Sequence, residues 1–279
     1  MRISEVLHRN KISAKRTRAR PQVDWHSAVS RNDLTKLTRE LTKDGVIKHS
    51  RNLQWSRPFL SKTRYMSGRQ CSKKLWQTVF EPGNVEEPLP GTVKGMGIEV
   101  GIKARLLWPG GILIDTKWND YAEAIERTKA LIADPTVIAI FEAALAHHGV
   151  LIRVDALERL PDGRWRLNEV KSSTRIKDEY LEEVALQTYV AVQSGLELAD
   201  THLVYINDKY VRGTEVDWNG LFYREDVSEN LIPLLPAVPE RISASARHMQ
   251  RSSRRLRTAL HRQEDADEKS QQRAPAPPH

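Results

Sequence analysis

Two short runs joined by Pro161-Asp162-Gly163 constrain this chain more than any other stretch. Residues 149–159 (GVLIRVDALER) alternate in polarity and are rich in β-branched side chains, and residues 164–172 (RWRLNEVKS) form a second strand-like run. A period of two places Leu151, Arg153, Asp155 and Leu157 on one face of the first strand. Trp165, Leu167, Glu169 and Lys171 share a face of the second. A three-residue loop with Gly163 in the left-handed conformation sets Leu160 opposite Arg164. Counting back from that pair puts Asp155 opposite Glu169, with Cβ atoms about 5 Å apart on one side of the hairpin. Lys171 follows one pleat on. A loop shifted by one residue would separate the two carboxylates.

Opposed like charges destabilise a hairpin. A divalent cation removes the conflict by taking both carboxylates as hard oxygen ligands, and Mg²⁺ suits a site with few protein carboxylates. Such a cation lowers the pKa of water and offsets charge on a phosphate. Lys171 would then stand beside that water. The competing reading is an edge hairpin on which Lys171 pairs with Glu169 or Asp155 in solvent.

The rest of the chain supplies helices before the hairpin and a helix and a strand after it. Ser61 is placed to cap a helix running through Tyr65, and 71–80 carries Leu75, Trp76, Val79 and Phe80 at helical spacing. A helix is predicted over 93–107, with Met96, Val100, Ala104 and Leu107 recurring at three and four. Ile112–Asp115 reads as a short strand. Tyr121–Ala133 reads as an amphipathic helix with Ala122, Ile125, Leu131 and Ile132 towards its buried side. Asp178–Ser194 is a helix stopped by Gly195, and Thr201–Asn207 is a further strand. A short helix is also predicted over Asn32–Lys43. This order indicates an α/β or α+β core.

Hydrophobic residues are 39% of the chain, and no apolar run nears the ~18 residues of a spanning helix. No membrane association is expected. The net charge of +8 suits a polyanionic partner, nucleic acid first. Basic residues gather at both ends, which divides the chain into a basic arm (1–57), a folded unit (58–236), and a basic helix with a polar, Pro-rich tail (237–279). A reducing, cytoplasmic setting is expected from a single cysteine, Cys71.

Residues 149–190, which contain the Asp155 and Glu169-Val170-Lys171 positions, resemble the RecB-like branch of the PD-(D/E)XK nucleases and the related CRISPR-associated nucleases. Residues 60–76 (LSKTRYMSGRQCSKKLW) resemble that family's N-terminal signature. The resemblance spans roughly Leu60 to Arg212. It implies a restriction-endonuclease-like core with a mixed β-sheet flanked by helices, Mg²⁺ or Mn²⁺ as cofactor, and DNA as partner.

Asp155 matches the motif aspartate, and Glu169 and Lys171 match the E-x-K pair. The Val170 carbonyl and Glu99, in GIEVG, are implied as further metal ligands. Gln187 and Tyr189 match the glutamine and tyrosine that support the active site or DNA. Each has a structural alternative: Glu99 as an exposed helix residue, Gln187 on a polar helix face, Tyr189 in the core. A histidine often stands in relatives where this chain has Ile98. His147-His148 reads as structural or surface, because neighbouring side chains diverge and the segment precedes a strand.

Several relatives hold a [4Fe–4S] cluster through a cysteine matching Cys71 and three more near the C-terminus. This chain has one cysteine in all. It therefore reads as a truncated or diverged member, with no cluster expected and Cys71 expected to be a small buried hydrophobe. The activity implied is metal-dependent hydrolysis of DNA phosphodiester bonds. The alternative is a catalytically degenerate nucleic-acid-binding module of the same fold.

Overall fold

The computed structural model describes residues 60–82, 89, 91–117 and 120–253. The expected basic arm, the helix predicted over Asn32–Lys43 and the Pro-rich tail lie outside these residues. The described strands are β1 (Leu60–Ser61), β2 (Ile112–Leu113), β3 (Ala139–His147), β4 (Val150–Arg159), β5 (Trp165–Lys171), β6 (Leu198–Ile206) and β7 (Phe222–Asp226). The helices are α1 (Lys62–Gln70), α2 (Ser72–Phe80), α3 (Val93–Ala104), α4 (Tyr121–Ala133), α5 (Asp178–Gln193), α6 (Trp218–Leu221) and α7 (Ser228–Leu231). Residues 238–253 are also helical.

The strands form one mixed sheet in the order β2-β3-β4-β5-β6-β7, with β1 also beside β4. The expected architecture, α/β with a mixed sheet flanked by helices, is the one observed. The hairpin register follows the loop chemistry. Gly163 has φ +85°, and Leu160 N–H donates to Arg164 O at 2.8 Å. The ladder then runs Arg159↔Trp165, Glu158↔Arg166, Leu157↔Leu167 and Ala156↔Asn168.

Two apolar layers cover the sheet. Leu157, Leu167 and Leu203 pack with Val184, Leu186 and Val190 of α5 on one face. Ala156, Val204 and Phe222 pack with Ala104 and Trp108 on the other. Val238 and Met249, from the helical stretch 238–253, belong to the first layer.

β1, β3 and β7 are absent from the sequence reading, and β3 is the longest of the three. Residues 139–147 (AIFEAALAH) hold four alanines and no alternation, a composition that favours helix. They form β3 because both faces are covered, so packing outweighs intrinsic preference. Thr128 of α4 helps anchor this strand: its hydroxyl donates to Ala124 O at 2.8 Å and accepts from Ala144 N–H at 2.9 Å. α4 has the predicted bounds, but its buried residues are Ala124, Ile125 and Thr128. Ala122 is exposed rather than on the buried side, because the helix is rotated so that Thr128 meets β3.

Thr128→Val keeps the shape and removes the acceptor for the buried Ala144 amide. It is expected to lower stability by about 1–3 kcal/mol in urea denaturation. A change near zero would show that Thr128 does not hold β3 to α4.

Candidate functional site

β4 changes partner partway along its length. Its first residues pair with β1 in parallel, Leu60↔Val150 and Ser61↔Leu151. Its last four pair with β5, starting at Ala156↔Asn168. β3 occupies the opposite edge of β4 throughout, so β1 and β5 follow each other along the same edge. Between them, residues 152–155 face a break in the sheet. Asp155 sits at the β5 end of this break. Its Oδ2 accepts the Val170 N–H at 2.8 Å, a side-chain bond in place of the next rung of the ladder.

Glu169 lies one residue beyond the last β4–β5 ladder pair, Ala156↔Asn168, in the register that opposes it to Asp155. It is not on a solvent edge: β5 is an interior strand, and Glu169 is 1% exposed. The Gln187 amide, fully buried on α5, donates to Oε2 at 2.7 Å. Oε1 accepts from Lys171 at 2.8 Å and from Lys62, the first residue of α1, at 2.9 Å. Glu183, one turn before Gln187, accepts from Lys171 at 2.8 Å and lies 3.2 Å from the Lys62 ammonium. Two lysines and two glutamates thus form a closed ring.

The electrostatics follow from these contacts. Burial works against the Glu169 charge, but Lys62 and Lys171 outweigh it and hold the carboxyl well below the usual range. Burial likewise opposes charge on Lys62, yet Glu169, Asp155 and Glu183 raise its pKa well above the ordinary lysine value. Asp155 is different. Burial and the Glu169 charge push it up to about 7; Lys62 pulls the other way, and Glu142 adds to the rise. Glu142 occupies the position across from Asp155 on β3, between Phe141↔Ala156 and Ala143↔Val154. It has a left-handed φ of +55°, a strained conformation for this residue type, and pairs with Arg105 at 3.4 Å.

The two lysines leave Asp155 short of positive charge. Asp155 and Glu169 fit a small hard cation bound through few protein oxygens. N–H and C=O of an extended residue leave the strand on the same edge, so the Val170 carbonyl points towards β4 beside Asp155. Among the described residues no three His, Cys, Asp or Glu side chains group as a metal cage. Water and substrate oxygens would complete the shell.

The structure therefore gathers Asp155, Glu169, Val170, Lys171 and Gln187. It does not gather the others. Glu99 is exposed and pairs with Lys103 at 2.6 Å, on α3, which packs against β5. Tyr189 is half-buried, edge-on to His147 with ring centroids 6.1 Å apart. The rings of His147 and His148 do not diverge as expected but lie 4.1 Å apart, because His148 (φ +45°) and Gly149 (φ +78°) make a tight turn between β3 and β4. Cys71 is exposed, not buried; its sulfur caps α2 by accepting from Lys74 N–H at 3.3 Å. Lys62, Glu183 and Glu142 were missed. Glu183 was accessible in principle, since it precedes Gln187 by one helical turn.

No family model matches the sequence, and no curated protein matches it closely. Among solved structures, the crystal structure of LHK-Exo in complex with dAMP matches with TM-score 0.40 and 14% identity, covering 73% of this chain and 94% of that one. The crystal structure of SSO0001 matches with TM-score 0.28 and 12% identity, covering 74% and 84%. Likeness this distant is silent on chemistry, which rests on the side chains themselves.

Asp155 has a higher pKa folded than the ordinary 3.8. Its contribution to stability is therefore complete below that value and is lost as pH rises through about 7. Without divalent ions, the thermal midpoint is expected to fall between about pH 5 and about pH 8 by more in the wild type than in Asp155→Asn, which cannot ionise. Equal falls in both proteins would show that Asp155 does not carry the titration.

Proposed function

We propose that this protein is a metal-dependent nuclease that hydrolyses DNA phosphodiester bonds, with its active site at the break between β1 and β5. The observation that carries the reading is the buried Glu169, joined to Lys171 and Gln187 and set opposite an Asp155 that lacks a full counter-charge. Asp155, Glu169 and the Val170 carbonyl would hold Mg²⁺ or Mn²⁺. When bound, such an ion supplies Lewis acidity and a water of lowered pKa.

The chain's own groups do the rest. Gln187 holds Glu169 in one orientation from below the sheet. Lys171 presents an ammonium group on the same side of β5 as Glu169, where it can orient the attacking water or offset charge gathering on the phosphate oxygens. The net charge of +8 favours approach of a polyanion. Among the described residues no helix is long and apolar enough to cross a membrane.

One observation favours a second reading, a nucleic-acid-binding module without activity. Every oxygen of Glu169 already has a donor from this chain, so the ring is charge-satisfied without a metal. Cleavage assays separate the two. Purified protein is expected to cut single- or double-stranded DNA with Mn²⁺ or Mg²⁺ and to stop on chelation. Lys171→Ala is expected to reduce the rate about 10²–10³-fold, and Glu169→Ala to abolish it. DNA binding that needs no metal, without cleavage above that of the Glu169→Ala/Lys171→Ala variant, would establish the binding module instead.

A further inference from the structure

Lys62 has no part in the mechanism above, yet its place is over-determined. β1 is hydrogen-bonded along β4 as far as Ser61. The Ser61 hydroxyl caps α1 by accepting from Arg64 N–H at 3.3 Å. Lys62 follows at once, so its backbone is held from both sides at the mouth of the break. Its ammonium reaches Glu169 Oε1 at 2.9 Å and Glu183 Oε1 at 3.2 Å.

This contact conflicts with a bound cation. Glu169 Oε1 already receives two ammonium groups, and Oε2 receives Gln187. A divalent ion approaching Oε1 meets two like charges at hydrogen-bonding distance, so one lysine must give way. Lys171 is tied to Glu169 through the strand they share. Lys62 comes from a different element, and Glu183 stands ready to keep its charge paired. The Lys62 charge also acts on Asp155, the other carboxylate of the pair.

We infer that Lys62 is the internal counter-cation of this site: it neutralises Glu169 in the metal-free protein and yields that oxygen to the incoming divalent ion while Glu183 retains it. The inference rests on the metal-binding reading of Asp155 and Glu169. It makes Lys62 a positioning residue that sets metal affinity, and it gives the stretch 60–76 a working residue other than Cys71.

Calorimetric titration of the full chain with Mn²⁺ tests this, with wild type, Lys62→Met, Lys62→Gln and Lys62→Arg in parallel. Removing a competing charge is expected to tighten Mn²⁺ binding about fivefold or more in the Met and Gln variants. The Arg variant should stay near wild type. The metal-free thermal midpoint should drop in the Met variant, and Mn²⁺ should raise it further than in wild type. Variants that fold only with Mn²⁺ present would also support the inference.

Unchanged or weaker binding in both neutral variants would overturn it and leave the nuclease reading standing. Variants that fold in neither condition would overturn it too, since the ion then cannot replace the lysine. No Mn²⁺ binding by the wild type would overturn the metal-dependent reading itself, and this inference with it.

Discussion

A carboxylate that is 1% exposed on an interior strand is the burden around which this domain is built. Removing a charged group from water costs several kcal/mol unless partners replace the lost solvation. Glu169 has three: the Gln187 amide and the Lys62 and Lys171 ammonium groups. They come from three elements, α5, α1 and β5, so the site forms only when the whole domain has folded. The lysines are themselves partly buried charges, and Glu183 completes their pairing. Removing one ion of the ring leaves an excess of the opposite charge in a poorly solvated place.

The break in the sheet makes this arrangement accessible. Had β5 continued along β4, the Val170 amide would have bonded to the β4 backbone and the ladder would have closed over the site. Instead Asp155 accepts that amide, and β1 takes over the remaining edge. Lys62 then enters from one side and Asp155 from the other. Glu142 adds backbone strain and a further carboxylate across from Asp155. Strain of this kind persists only where the surrounding structure imposes it. Positive charge is thus concentrated on Glu169 and short at Asp155, an asymmetry that a divalent cation would even out.

Local chemistry was legible in the sequence; its long-range partners were not. A Gly163 loop of three residues sufficed to oppose Asp155 and Glu169, because hairpin register is set within a dozen residues. Gln187 was drawn in through resemblance, and its bond to Glu169 gives that assignment a physical cause. Lys62 lies 107 residues from Glu169, and nothing local separates it from the other lysines of its stretch. β3 was hidden by its alanines, whose strand conformation comes from burial on both faces. Glu99 lies on a helix that does form, but a helix pattern alone does not say which polar side turns to the site. Cys71 is exposed against expectation because exposure at a helix cap depends on how α1 and α2 meet.

A divalent cation held between Asp155 and Glu169 at the break between β1 and β5 is the feature on which the proposed chemistry depends. Crystals soaked in Mn²⁺ and measured for its anomalous scattering address it directly. An anomalous peak is expected within coordination distance of both carboxylates, with Lys62 shifted off Glu169 Oε1. No peak there, with Lys62 still seated on Glu169 at high Mn²⁺ occupancy elsewhere, would contradict it.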